Sequence, residues 1–413
     1  MRIASSHPST HLAVKASPVG KPSVKGWCPG ALRPMLSGDG LVVRIRPLAG
    51  RLSQAQAVGI ATLADRYGNG VIDITSRANL QLRGVQDTSH ADLIDGLRVL
   101  ELIDPNEEVE ARRNIVVTPF WNTDDGTQEI AAALANALAQ PDAPALPTKF
   151  GFAIDTGEHP VLQDTSADIR IERTSSGLIV RADGFATCAR VMPDEAIPTA
   201  MALARWYAAS MAPQPGGTLK SRMAALASRQ LLPAIFQTPL PAPAAAPQPQ
   251  IGPNAHGWLV GIEFGQMSAQ TLVALANHAA HSGSGALRIS PWRMLLIEGS
   301  HQAPDAPGLI TRVHDPLLRV IACTGAPQCQ HAAIATRTLA RAMAPYIPAG
   351  TLLHVSGCAK GCAHQKPALT LVGSEVGIDL IRHGNAASKP DVFALSADTV
   401  SLELQRLLHA IPI

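Results

Sequence analysis

Aromatic side chains are scarce in this chain: seven Phe, five Trp and three Tyr make up 4% of 413 residues. Proteins that track single-stranded nucleic acid stack bases on aromatic rings, so this supply argues against such a surface. Charged residues are also few, at 16%, and they nearly cancel to a net charge of +2. No global field drives the chain toward nucleic acid or a membrane surface. An anionic substrate must be met by a local group of arginines. No apolar run reaches the roughly 18 residues of a membrane-spanning helix. No Gly-x-Gly-x-x-Gly opens a helix after a strand, so a nucleotide fingerprint is missing. The first 38 residues hold five Lys and Arg but no Asp or Glu. They lack the apolar centre of a secretory signal, and residues 1–25 read as a disordered arm. Cytoplasm is the expected compartment, with neither nucleic acid nor membrane as partner.

What is present is apolar: 46% of the residues, enough for real cores, over a length that suggests two to three domains. Four of the six cysteines fall in two tight pairs near the C-terminus. Cys323 and Cys329 are separated by five residues, Cys358 and Cys362 by three, and the pairs by 28. Small residues surround them, in CTGAPQC and GCAKGC. Four thiolates suit the corners of a cubane iron–sulfur cluster, and Gly325, Gly357 and Gly361 let backbone approach a bulky inorganic core. Zinc loops favour two to four intervening residues, which the second pair satisfies and the first does not. The spacing thus favours a cluster, with zinc and disulfides as alternatives. Cys28 and Cys188 stand alone and read as structural.

The chain also contains itself twice. Gly40–Gln56 (GLVVRIRPLAGRLSQAQ) and Gly257–Gln270 (GWLVGIEFGQMSAQ) each read as a strand, a Gly-containing turn and a Ser N-cap, Ser53 or Ser268. A helix follows each cap. Strand pairs come next, over Gly70–Gly84 (GVIDITSRANLQLRG) and Gly285–Gly299 (GALRISPWRMLLIEG). Arg113-Asn114-Ile115-Val116-Val117-Thr118 then aligns with Arg319-Val320-Ile321-Ala322-Cys323-Thr324, setting Val117 opposite Cys323. Ala167–Gly184 reads as a β-hairpin around Ser175–Gly177. Gln237–Pro253, dense in Pro and Ala, reads as an extended linker.

Cysteine spacing, duplicated halves and the TSRANLQLRG strand together resemble the nitrite/sulfite reductase hemoprotein superfamily, from about residue 26 onward. Within it, GWCPGALRPMLSGDGLVVRIRP looks like the precorrin-3B synthase branch. The resemblance implies an α+β fold with pseudo-two-fold symmetry: two ferredoxin-like half-domains and two α/β domains that bind cluster and macrocycle. The expected parts are an arm (1–25), the first half-domain (26–103), an α/β domain without cluster (104–236), the linker (237–253), the second half-domain (254–303) and the 4Fe-4S domain (304–413).

The resemblance makes Cys323, Cys329, Cys358 and Cys362 the cluster ligands, with Cys362 at the position that bridges to siroheme iron in the reductases. It makes Arg77, Arg113 and Lys149 catalytic. The reductases' second lysine is replaced by Gly151, which fits a macrocycle that is substrate and not cofactor. The implied reaction is O2-dependent hydroxylation of precorrin-3A at C20 with γ-lactone closure, in aerobic cobalamin biosynthesis. NADH would act indirectly, through a separate reductase. The implied cofactors are the 4Fe-4S cluster and a mononuclear non-haem iron, for which His354 and His364, then His331, are the first candidates. A siroheme-dependent nitrite or sulfite reductase is the alternative.

A carboxylate-fringed tetrapyrrole calls for guanidinium groups, which pair with carboxylate in a bidentate fork. Arg44, Arg46 and Arg83, with Asn114, are assigned to substrate binding, and Arg33 and Arg112 are weaker candidates. Arg44, Arg46, Arg77 and Arg83 are expected on strands, where even spacing shares a face. Trp292 and Glu298 stand where Arg77 and Arg83 would repeat.

Overall fold

The computed structural model describes residues 28–157, 159–211, 222–241 and 249–409. The arm expected over 1–25 and the middle of the expected linker, 242–248, lie outside them. The chain divides into two compact units, one running to Leu318 and the other beginning at Arg319.

The first unit opens with β1 (Met35–Ser37), β2 (Gly40–Ile45), β3 (Arg51–Ser53), α1 (Gln54–Tyr67), β4 (Val71–Ile74), β5 (Leu80–Val85) and α2 (His90–Val99). Next come α3 (Glu107–Arg112), β6 (Ile115–Val117), α4 (Thr127–Ala139), β7 (Phe152–Asp155), β8 (Ile169–Thr174), β9 (Gly177–Ala182), β10 (Thr187–Val191), α5 (Ala196–Ser210) and β11 (Thr238–Pro239). The repeat then returns as β12 (Gly252–Asn254), β13 (Gly257–Ile262), β14 (Gln266–Ser268), α6 (Ala269–Ser282), β15 (Ala286–Ile289) and β16 (Met294–Glu298), closed by β17 (Leu309–Ile310).

Both predicted caps start helices. Ser53 Oγ accepts from the Gln56 amide in a full capping box, and Ser268 Oγ accepts from Thr271. The turns before them match as well: Ala49 and Phe264 both take positive φ, at 51° and 54°. The predicted hairpin is β8–β9, with Thr174 opposite Gly177. The linker expectation needs correction at its ends. Thr238–Pro239 adds β11 to the edge of β10, and Gly252–Asn254 pairs with β13.

The two halves exchange strands. One sheet runs β1-β2-β5-β4-β14 and the other β12-β13-β16-β15-β3. Each therefore takes its last strand from the opposite half: β14 pairs with β4, and β3 with β15, both antiparallel. Helices α1 and α6 pack on one another through small and medium side chains, Ala57, Ile60, Ala61 and Ala64 against Leu272, Leu275, Ala276 and Ala279. A single apolar core, from Ala31 to Ile297, is common to both halves.

The remaining sheet of this unit, β11-β10-β9-β8-β7-β6, is parallel over β6-β7-β8 and antiparallel beyond. Helices α4 and α5 share its own core, with Phe152, Phe236 and Tyr207.

The second unit comprises β18 (Val320–Ala322), α7 (Thr336–Met343), β19 (Leu353–Ser356), β20 (Ala368–Ser374), β21 (Gly377–Gly384), β22 (Val392–Leu395) and α8 (Val400–His409). Its sheet, β18-β19-β20-β21-β22, repeats the pattern of three parallel strands followed by antiparallel ones. The register corrects the alignment made from sequence by one residue. The Thr118 amide donates to the Ile154 carbonyl of β7 as the Cys323 amide donates to the Val355 carbonyl of β19. The residue equivalent to Cys323 is therefore Thr118, and Val117 is equivalent to Ala322.

Candidate functional site

In the second unit the four paired cysteines sit on two loops at the ends of β18 and β19. Cys323 leaves β18, Gly325 turns the chain at φ +71°, and the Cys329 amide returns to the Gly325 carbonyl at 2.9 Å. A Cβ at Gly325 would lie 2.7 Å from the Thr336 amide nitrogen, so only glycine fits there. Thr336, at the start of α7, donates its hydroxyl to the Cys323 carbonyl at 2.7 Å. The second loop is tied to the first: the Gly357 amide donates to Cys323 Sγ at 3.2 Å, and the Ala333 amide to the Gly357 carbonyl at 2.9 Å. A Cβ on Gly357 would meet Ala332 Cβ at 2.5 Å. Ser356 Oγ caps the Cys358 carbonyl, and Gln365 Nε2 holds the carbonyls of Lys360 and Gly361.

All six cysteines are free thiols, so no disulfide competes for this cradle. Burial raises the pKa of Cys358 and Cys362, and the neighbouring sulfurs raise both further against the pull of Lys360. The four sulfurs are thus within electrostatic reach of one another. Among the described residues, however, no three His, Cys, Asp or Glu side chains are placed to share one metal ion. Zinc bonds of about 2.3 Å would draw its sulfurs to within roughly 4 Å of each other. A cubane spreads its thiolates over four irons. Four thiolates on two tied loops are a donor set that a 4Fe-4S cluster takes.

The same geometry does not fit the mononuclear iron. His354, wholly buried on β19, lies edge-on to His364 with ring centroids 5.7 Å apart, but no third ligand joins them among the described residues. The chain's His-x-Asp sequence, His90-Ala91-Asp92, opens α2, where His90 Nε2 is engaged by the Ala31 carbonyl at 2.9 Å. His331 is in no such group either.

In the first unit, the assigned cations divide by what holds them. Arg83, on β5, is 5% exposed and forms ion pairs with Asp39 at 2.8 Å and Asp73 at 3.3 Å. Its charge is spent on the fold, which corrects its assignment to the substrate. Arg113 makes a bidentate pair with Asp104, at 2.6 and 2.8 Å. Arg46 follows β2, 7% exposed, and donates Nη1 to the Glu110 carbonyl. Burial lowers its pKa, with Glu110 opposing. Asn114 is buried and donates Nδ2 to the Phe150 carbonyl at 2.9 Å, holding the segment that carries Lys149.

Arg44, Arg77 and Lys149 converge without a carboxylate among the described residues. Arg77 stands in the turn between β4 and β5 and not on a strand, because Ala78 takes φ +54° and the Thr75 amide closes on the Asn79 carbonyl at 2.9 Å. The turn aims Arg77 at the loops: Nη2 donates to the Lys149 carbonyl at 3.1 Å and Nη1 to Cys28 Sγ at 3.7 Å. Arg44 donates Nε and Nη2 to Gln81 Oε1 across the β2–β5 pair. Burial pushes Arg44 down to about 10, with Arg46 and Arg77 adding to the effect and Cys28 opposing it. Lys149 is exposed.

Cys28 and Glu110 were not identified as site residues from sequence. Burial acts to raise the Cys28 thiol's pKa, but Arg44, Arg77 and Lys149 outweigh it and the net value falls below the ordinary thiol range. Glu110 accepts from the amides of Ala31 and Leu32, fixing the loop that follows Cys28. Burial raises its pKa in spite of those bonds. The clue available in sequence was a cysteine in a short stretch of basic and turn residues, WCPGALRP.

The repeat's second face is closed by ring packing. Ser290–Met294 reproduces the turn of Arg77, with Arg293 at φ +63° in the place of Ala78 and Trp292 in the place of Arg77. Trp292 stacks on Phe120 at 6.1 Å, and Arg288 lies 3.4 Å over the Trp121 ring while donating to the Pro119 and Trp121 carbonyls. Asp73 and Arg83 of the first half correspond to Arg288 and Glu298 of the second, an ion pair with its charges reversed.

Residues 33–100 match the nitrite/sulfite reductase ferredoxin-like half domain. A precorrin-3B synthase from Sinorhizobium sp is 30% identical over 89% of this chain and 85% of its own length. A ferredoxin–nitrite reductase from Synechococcus elongatus is 26% identical, over 87% of this chain and 80% of its own. The chloroplastic ferredoxin–nitrite reductase of Zea mays is 24% identical, over 79% and 68%. In fold, the chain is similar to the Mycobacterium tuberculosis NirA protein, with a TM-score of 0.66 over 90% of this chain and 80% of that one, at 16% identity. The architecture is a duplicated nitrite/sulfite reductase fold.

Proposed function

Since the chain belongs to the precorrin-3B synthase family, we propose that it hydroxylates precorrin-3A at C20, with γ-lactone closure by an acetate side chain, in aerobic cobalamin biosynthesis. One atom of O2 enters the product, and two electrons from NADH, delivered through a separate reductase in the cytoplasm, take the other to water. A 4Fe-4S cluster held by Cys323, Cys329, Cys358 and Cys362 supplies single-electron transfer. Arg44, Arg77 and Lys149 bind carboxylate arms of the tetrapyrrole, since they carry positive charge that no acidic side chain among the described residues neutralises. Asn114, through the Phe150 carbonyl, and Arg113, through Asp104, position the segments around them.

The observation that carries the choice between substrate and cofactor is at Gly151. The resemblance places a second lysine there in reductases. Here the Gly151 amide donates to Asp168 Oδ2 at 2.9 Å, and a Cβ would meet Asn114 Nδ2 at 2.9 Å. A long cationic side chain has no room unless Asn114 gives way. One cation fewer counts against reduction of a small oxyanion and is compatible with a macrocycle that is itself the substrate. No step is assigned to a mononuclear iron, for which the described residues provide no ready site.

The test is anaerobic iron and acid-labile sulfide analysis with a visible spectrum, followed by turnover of precorrin-3A under O2. Four irons and four sulfides per chain, no Soret band and conversion to the lactone are expected. Extractable siroheme would instead establish the reductase reading.

A further inference from the structure

Cys28 occupies a place that the proposed reaction leaves unused. Its sulfur accepts from Arg77 Nη1 at 3.7 Å and lies within electrostatic reach of Arg44 and Lys149. One thiol thus faces three cations, and none of the three is paired with a carboxylate among the described residues. Cys28 also lines a cavity of about 160 Å³, together with Arg33, Arg46, Glu107, Glu108 and Glu110. Arg46 is 7% exposed, and its Nε–H has no acceptor among the described residues. A buried guanidinium N–H without an acceptor is costly. It is a second feature, independent of the thiol, that calls for an acceptor from a ligand.

We propose that Cys28 is a positioning residue for the carboxylate-bearing substrate: as a thiolate it keeps Arg44, Arg77 and Lys149 converged before substrate arrives, and a carboxylate of the tetrapyrrole then takes over as their counter-charge. This inference rests on the tetrapyrrole reading above. The carboxylate brings negative charge beside the sulfur, and the thiolate takes up a proton from solvent. The site then holds one thiol and one carboxylate among its cations in place of two competing anions. Burial acts against the thiolate, but the flanking Arg44, Arg77 and Lys149 outweigh it, so the Cys28 thiol ionises more readily than a free one. The three glutamates around the cavity act in the opposite sense, and Glu110 is held toward its neutral form by burial.

The test is alkylation of the full-length protein by iodoacetamide, followed at Cys28 by peptide mass spectrometry, with uroporphyrin as an octacarboxylate tetrapyrrole probe. Without probe, the pH midpoint of alkylation should lie below the roughly 8.5 of a free thiol, and Arg77→Gln should slow the reaction at pH 7 several-fold. Saturating uroporphyrin, with binding read from its own fluorescence, should slow it at least tenfold. In Cys28→Ser, uroporphyrin binding should lose the pH dependence that the wild type shows. A midpoint at the free-thiol value, bound uroporphyrin without protection, or an unchanged pH profile in Cys28→Ser would each overturn the role of Cys28. Failure of uroporphyrin to bind at all would count against the tetrapyrrole reading, while the alkylation midpoint still decides whether the thiolate exists.

Discussion

Arg77 and Arg83 are six positions apart in one basic stretch, and the structure gives them opposite work. Arg83 is locked between Asp39 and Asp73, so its charge never reaches a ligand. Among the described residues the Arg77 guanidinium holds only a thiol and a backbone carbonyl, both weaker partners than a carboxylate. Arg77→Ala is therefore expected to weaken tetrapyrrole binding by about 10- to 100-fold, the worth of a charge-assisted hydrogen bond of about 1.5–3 kcal/mol. Fluorescence titration with uroporphyrin measures this, and the cluster's visible absorbance should be unchanged. Which arginine is free was not legible from sequence. Asp39 reaches Arg83 from the turn between β1 and β2, and Asp73 from β4, and residue type alone does not disclose such a pairing. The turn that frees Arg77 depends on the positive φ of Ala78, which alternation does not predict.

At the scale of elements, the reversed ion pair joins the exchanged strands to the sheets they enter. From β3, Arg51 donates to Glu298 of the opposite half at 2.9 and 3.0 Å, and from β14, Gln266 donates to Asp73 at 2.8 Å. Burial acts to raise the pKa of Glu298, but hydrogen bonds from Arg51, Ser284 and Arg288 hold it down at about 2, against an ordinary value of 4.5. A carboxyl depressed by folding binds protons more readily in the unfolded chain. Its contribution is complete above about pH 4.5 and is lost as pH falls toward 2. Glu298→Gln should thus lower stability at pH 7 by about 2–3 kcal/mol and flatten the acid loss across that window, as urea midpoints at several pH values would measure. On the cluster loops, Gly357→Val should abolish the iron and sulfide content, because its side chain would drive into Ala332 and separate loops that the Ala333 and Gly357 bonds hold together. Metal analysis against circular dichroism of the same sample checks that the fold survives. The caps at Ser53 and Ser268 were legible because a capping signal is local. The three-residue strands β3 and β14 were not, since each pairs with a strand more than 190 residues away and carries no period of its own.

For the whole molecule, duplication was legible because both copies kept their turns and strand patterns in order. The one-residue slip between Val117 and Thr118 was not, because a run such as Ile-Val-Val aligns equally well in either register, and the register is settled only by hydrogen bonds to β7 and β19. That slip explains what became of the second cradle. Thr118 takes the place of Cys323, Thr156 and Gly157 those of Gly357 and Cys358, and Thr127 that of Thr336 at the helix start. Thr127 and Thr156 share a hydroxyl hydrogen bond of 2.7 Å, and a Cβ on Gly157 would collide with the Phe120 carbonyl. The loops close on themselves where the other copy keeps room for sulfur ligands.

The exchanged strands bear also on how such a chain came to be one chain. If β3 and β14 complete each other's sheets, neither copy of the repeat is a finished structure, and a single-copy forebear would have existed only as a pair with each partner lending a strand. Such a pair assembles at a rate and to an extent set by how much of it a cell makes. Covalent joining through the segment between β11 and β12 replaces that dependence with a fixed local concentration. It also releases the two copies from being identical, so that one kept its cations and the other its rings.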